Sequence, residues 1–203
     1  MDEIQVLYFL EDRAQENFIK SLVERIAGDV GITNPYLKHD IRSARGGSII
    51  IKELEKFVKG YLKYDPLGFN IIIVAIDGNC KGYQKRKKEL QSIMKEVSGI
   101  EERLVFAVPD PHIERWYMLD QKAFRKGVGI NKSPDLPAYK CQRDHYKKII
   151  YQTLHDANVN TFLGGTEYAD RIVANIENLE LLCQRDDSFK FFVQELKRAL
   201  RKQ

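Results

Sequence analysis

The stretch that most limits what this chain can become is Asn70-Ile71-Ile72-Ile73-Val74-Ala75-Ile76-Asp77-Gly78-Asn79. An apolar, largely β-branched run follows the turn signal Asp65-Pro66-Leu67-Gly68 and stops at Asp77-Gly78-Asn79. A short, continuous run of this kind reads as a strand buried on both faces, which belongs to a sheet covered by helices on either side. In open sheets of that class, ligands sit just beyond the carboxyl ends of the strands. Asp77 and Asn79 fall there, and an Asp-x-Asn pair offers hard oxygen donors suited to magnesium. The same three residues are good turn formers, so a plain turn is the competing reading.

At 203 residues the chain has room for one domain, or one domain with an appendage, around a real core. A content of 43% hydrophobic and 31% charged residues is that of a globular chain and not a disordered one. No apolar run reaches the length of a bilayer span. The acidic start, Met1-Asp2-Glu3, leads straight into a strand-like run and does not resemble a signal peptide. Cys80, Cys141 and Cys183 are odd in number and widely spaced. They suggest neither a zinc site nor a disulfide framework, so a reducing cytoplasm is the expected compartment. A net charge of +4 is small, so any binding of nucleic acid must come from local clustering.

In chain order, Ile4 to Leu10 reads as a strand that ends at Glu11. Ala14 to Ile26 carries Phe18, Ile19, Leu22, Val23 and Ile26 at helical spacing. A short strand is expected around His39 to Arg42. After Arg45-Gly46-Gly47, Ser48 is the expected N-cap of a helix from Ile49 to Leu62. Paired glycines before a helix leave N–H groups free to hold a phosphate, with Arg42 and Arg45 adding charge; a flexible, well-capped loop is the equal alternative. Beyond the central strand, Lys85-Arg86-Lys87-Lys88 opens a helix that runs to about Val97. Cations there oppose the helix dipole, which a polyanionic partner would explain; a solvated face is the usual reading of a charge run, but its place beside Asp77 favours phosphate contact. Arg103 to Val108 is a further strand, and His112 to Asp120 a helix with Glu114 in its first turn and Trp116 as a core anchor. The loop-rich stretch from Phe124 to Tyr139 is the expected boundary, which divides the chain into 1–127 and a helical extension, 128–203.

The order is strand–Glu11, helix, strand, Gly-Gly helix, strand–Asp77-x-Asn79, helix, strand, which is an alternating α/β unit. It resembles the Toprim fold, and more closely the small stand-alone Toprim-like proteins of defence loci, the RloB-like group among them, related to the OLD-family nucleases. The resemblance rests on Leu10-Glu11-Asp12-Arg13-Ala14-Gln15-Glu16, Arg45-Gly46-Gly47, Asp77-Gly78-Asn79 and Glu114-Arg115-Trp116. It also rests on the ending Cys183 with Asp187 to Phe192. Three positions depart from that pattern: Asp12 replaces the usual Gly, Gln15 one acid of a pair, and Asn79 the second Asp. The resemblance implies a mostly parallel sheet of about four strands flanked by helices.

It also implies a magnesium- or manganese-dependent nuclease acting in antiphage defence on DNA or RNA, working beside a separate ATPase. Glu11 and Asp77 are the expected metal ligands, with Asn79 a weaker neutral one, and Glu114 a second ligand or general base. Arg45, Lys85, Arg86 and Lys87 are the expected phosphate contacts. A Toprim-like module that binds nucleic acid or a partner ATPase without cutting is the alternative, and Asn79 and Gln15 favour it. No Gly-x-Gly-x-x-Gly opens the first helix, which disfavours a dinucleotide enzyme.

Overall fold

The computed structural model describes residues 3–32, 36–43, 46–62, 64, 68–95 and 97–203. Four parallel strands form one sheet: β1 (Ile4–Leu10), β2 (Leu37–Ser43), β3 (Ile71–Ala75) and β4 (Leu104–Ala107), in the order β2-β1-β3-β4. The connecting helices are α1 (Arg13–Asp29), α2 (Gly47–Phe57) and α3 (Tyr83–Met94), as crossovers between parallel strands require. After β4 come α4 (Ile113–Tyr117), α5 (Gln121–Val128), α6 (His145–Asp156), α7 (Ala169–Ala174), α8 (Leu179–Arg185) and α9 (Asp187–Leu200). No helix among the described residues is long and apolar enough to cross a membrane.

β3 is buried on both faces throughout. Along β1, Val6, Tyr8 and Leu10 pack with α1, while Leu7 and Phe9 pack with α2 and α3. This is the period-two alternation of a strand between two helical layers. The core on the α1 side also takes in Trp116, Phe189, Phe192 and Leu196, so residues 128–203 share a core with the sheet.

Three local expectations need correction. The N-cap of α2 is Gly46, at φ 107°, and not Ser48. That helix gives way at Val58–Leu62 to a π-helical turn. The stretch expected to be loop from Phe124 begins inside α5, which is capped by Asp120 through a bond from Ala123 N–H. Gly127 belongs to that stretch and would be a loop residue there. It is instead a packing residue, since a Cβ there would lie 2.6 Å from the backbone nitrogen of Ile172 in α7. Gly129, left-handed at φ 82°, then ends the helix.

Candidate functional site

In the strand order β2-β1-β3-β4, the chain runs outward from β1 to β2 and then crosses back to β3. The reversal opens a crevice between the carboxyl ends of β1 and β3, where Leu10 is in register with Ala75. Glu11 and Asp77 leave those two strand ends and meet there. Oε2 of Glu11 accepts the Asp77 N–H at 3.0 Å, and Oε1 accepts the Gly47 N–H at 2.9 Å. A Cβ on Gly47 would lie 3.2 Å from both Glu11 oxygens, so glycine is what lets the start of α2 close over this carboxylate. The paired-glycine turn thus receives Glu11 in the place expected for a phosphate, as the positive end of a helix favours.

Asp77 is buried, and its Oδ1 accepts from the side-chain amide of Gln15 at 2.9 Å and from Ile113 N–H, at the start of α4, at 3.1 Å. Its Oδ2 makes no hydrogen bond among the described residues. Burial raises the Asp77 pKa well above the ordinary carboxylate value; the charges of Glu11 and Glu114 raise it further, and the Gln15 bond lowers it. Glu114, half-buried on α4, is also raised, first by burial and then by the charge of Asp12. Asp12 itself caps α1, accepting the Gln15 N–H at 2.9 Å. Four carboxylates therefore gather at one edge of the sheet. Asn79 stands exposed beside them in a left-handed conformation, φ 46°, and donates its amide to the Asp77 carbonyl at 3.3 Å.

The basic run divides. Arg86 is buried; its Nε donates to the Asp77 carbonyl at 3.2 Å and its Nη1 to Glu89 at 2.8 Å. Lys87 pairs with Glu195 of α9. Lys85 and Lys88 are exposed, with no partner among the described residues. Lys85 lies on the rim of a cleft of about 510 Å³ that Lys81, Asp110, Tyr139 and Ser188 also line. Arg45 lies outside the described residues.

No family model, curated protein or solved structure matches the chain.

Among the described residues, no group of three or more His, Cys, Asp or Glu side chains is arranged to hold a metal ion. The donor chemistry nevertheless suits a hard divalent cation. Glu11, Asp77 and Glu114 are oxygen donors, and Asp77 keeps one oxygen free of hydrogen bonds to the described residues; burial first, and then the charges of Glu11 and Glu114, raise Asp77, and a cation would offset the part due to those charges.

The sequence marks Gln15 only as a departure from an acidic pair, and two further features lie outside that reading. Gln15, fully buried, accepts the Glu11 N–H at 2.9 Å while donating to Asp77, and so ties the two acids together. Its place four residues after Glu11, in the first turn of α1, was the available signal. Glu195 is a buried carboxylate that accepts from Tyr83 OH at 2.8 Å, Phe106 N–H at 3.0 Å and Lys87. The third is a correction: Cys80 and Cys141 form a disulfide, with Cα atoms 5.6 Å apart, and only Cys183 is free. Their 61-residue separation gave no hint of it, because the fold alone brings them together.

Proposed function

We propose that the chain is a magnesium- or manganese-dependent nuclease of the Toprim-like kind, cutting DNA or RNA, tRNA included, in cytoplasmic defence against phage beside an ATPase partner. One observation carries this reading. Two acids 66 residues apart, Glu11 and Asp77, meet at the crevice where a parallel sheet of this topology binds ligands, with Glu114 bordering them. In this reading Glu11 and Asp77 hold the ion and Asn79 supplies a neutral oxygen. The bound ion supplies Lewis acidity toward the phosphodiester and acidifies a water. Glu114, its pKa raised by burial, holds a proton more readily than an ordinary carboxylate and is the candidate base. Lys85 and Lys88 attract the phosphate backbone without regard to sequence.

A second reading, a module that binds nucleic acid or a partner without cutting, is favoured by a specific observation. Both Glu11 oxygens are already satisfied by backbone N–H groups, and Asn79 is neutral. A mixed DNA and RNA panel, incubated with magnesium, manganese or EDTA, separates the two. Cutting that requires the ion and disappears in Asp77→Ala supports the nuclease. Binding without cutting under every condition supports the module. Cutting that persists in EDTA sinks the metal-dependent reading.

A further inference from the structure

The turn that follows Asp77 is strained and tethered. Asn79 and Cys80 are consecutive non-glycine residues with φ 46° and φ 65°, a region that L-residues rarely occupy and that persists only where the surroundings enforce it. Backbone bonds supply part of that constraint: Gly78 N–H to the Pro109 carbonyl at 2.7 Å, and Asn79 N–H to the Pro111 carbonyl at 2.9 Å. The disulfide supplies another part by joining Cys80 to Cys141. Cys141 lies in residues 130–144, a segment with no helix or strand.

The later part of that segment, Pro137 to Cys141, forms a strap against the residues that follow β3 and β4. Its Tyr139 hydroxyl donates to Asp110 Oδ2 at 3.1 Å, and its Lys140 N–H donates to the Tyr146 hydroxyl at 3.0 Å. Asp110 in turn lies against the turn, since a Cβ on Gly78 would come within 2.4 Å of Asp110 Oδ1. Cys80 and Cys141 are both exposed, whereas Cys183 is buried and its thiol pKa is raised by that burial. A thiol arriving from solvent therefore reaches the bridge and not the third cysteine.

We propose that Cys80 and Cys141 form a reversible thiol–disulfide switch that pins the acidic turn Asp77–Cys80 to the 130–144 strap when oxidised and frees both when reduced. The reductant is two molecules of a monothiol such as glutathione, the second of which attacks the mixed disulfide and leaves as the oxidised dimer, or a dithiol, small or protein-borne. The first thiolate attacks one sulfur of the bridge and forms a mixed disulfide with that cysteine, while the other leaves as a thiolate and is protonated. The second thiol of the reductant then closes the reductant's own disulfide and releases the first cysteine. Two electrons and two protons pass to Cys80 and Cys141, and the reductant is oxidised to its disulfide. A small-molecule disulfide such as oxidised glutathione reverses the exchange. This inference does not depend on the nuclease reading, because the switch acts on the turn whatever that turn binds.

The test uses the full chain, equilibrated in glutathione buffers of graded reduced-to-oxidised ratio, with thiols counted by alkylation and mass spectrometry. Amide exchange is then followed at 78–82 and 136–144 in both states and in the double variant Cys80→Ser, Cys141→Ser. The expected result is a bridge that titrates within the buffer range. Exchange at both segments should be at least tenfold faster in the reduced protein, with the strands unchanged and the double variant matching the reduced state in every buffer. A bridge that stays closed in fully reduced glutathione, or never closes in oxidised glutathione, overturns the proposal. So does equal exchange in both states. Global unfolding of the reduced protein also overturns it, by making the bridge a structural staple.

Discussion

Gln15 offers the sharpest test of how the acid cluster is held. It is fully buried, accepts the Glu11 N–H and donates to Asp77 Oδ1, both at 2.9 Å. Gln15→Leu keeps the approximate volume and deletes both bonds. The Glu11 N–H loses its partner, which costs about 1–3 kcal/mol, and removal of the bond to the Asp77 carboxyl adds about 1 kcal/mol, giving roughly 3 kcal/mol in all. For a chain of 203 residues, each kcal/mol moves the melting temperature by about 2–4 °C, so a fall of about 6–12 °C is expected near pH 7. The pH dependence has a definite sign. Burial, Glu11 and Glu114 raise the Asp77 pKa in the fold, so the native state holds that proton more tightly than the unfolded chain. The group's contribution to stability is therefore largest in acid and is lost as pH rises through the folded pKa. Gln15 works against this by bonding the ionised form. Without it Asp77 rises further, and the deficit of Gln15→Leu against the parent should widen from pH 4.5 to pH 7.5. Calorimetric melts across that range are the assay. A variant melting within 1 °C of the parent at pH 7, or a deficit that narrows with rising pH, would refute the reasoning.

Gly127→Ala should destabilise by about 1–3 kcal/mol, because its Cβ would press on the Ile172 backbone and α5 and α7 would have to separate; urea midpoints report this, and a stabilised variant would contradict it. Glu195→Ala should cost about 3 kcal/mol, since it strands Lys87, the Tyr83 hydroxyl and the Phe106 N–H together; the same measurement applies, with an unchanged midpoint as the contrary result. Lys85→Ala with Lys88→Ala should lower the log–log salt slope of nucleic-acid binding by about 0.7–0.9 for each phosphate that these lysines neutralise. Arg86→Ala, which removes a buried guanidinium, should lower stability at constant slope, and a changed slope in Arg86→Ala would reverse that assignment.

The elements easiest to foresee were those whose signal is local. The Ile71–Ala75 strand announces itself by unbroken β-branched burial, and α1 and α9 by their apolar stripes. The meeting of Glu11 with Asp77 followed from topology, because strands joined by crossover helices run parallel and place their carboxyl ends along one edge. What stayed hidden was set by the packing of distant segments. Arg86 and Lys87 look like members of a solvated run until Asp77, Glu89 and Glu195 are seen to face them. Gly127 is a loop glycine in one dimension and a packing surface in three. Gln15 read as a departure from an acidic pattern, yet its neutrality is what lets one side chain donate to Asp77 and accept from Glu11 at once.

The C-terminal helices matter to the acid cluster because they hold the parts of it that the sheet does not. β4 is an edge strand, and Glu195 of α9 occupies its Phe106 N–H, so α9 covers an edge that would otherwise be open to pairing. At the start of the same helix, the N-cap Asp186 pairs with Arg115 at 2.8 Å, and Ser188 accepts from the Trp116 indole at 3.0 Å. Arg115 and Trp116 flank Glu114 on its far side in α4, a helix of five residues too short to be stable alone. That helix also presents the Ile113 N–H to Asp77. The orientation of Glu114 and one of the two donors on Asp77 therefore depend on bonds made by residues 186–195. The acids begin in the first 114 residues of the chain, but their arrangement is completed by its last twenty.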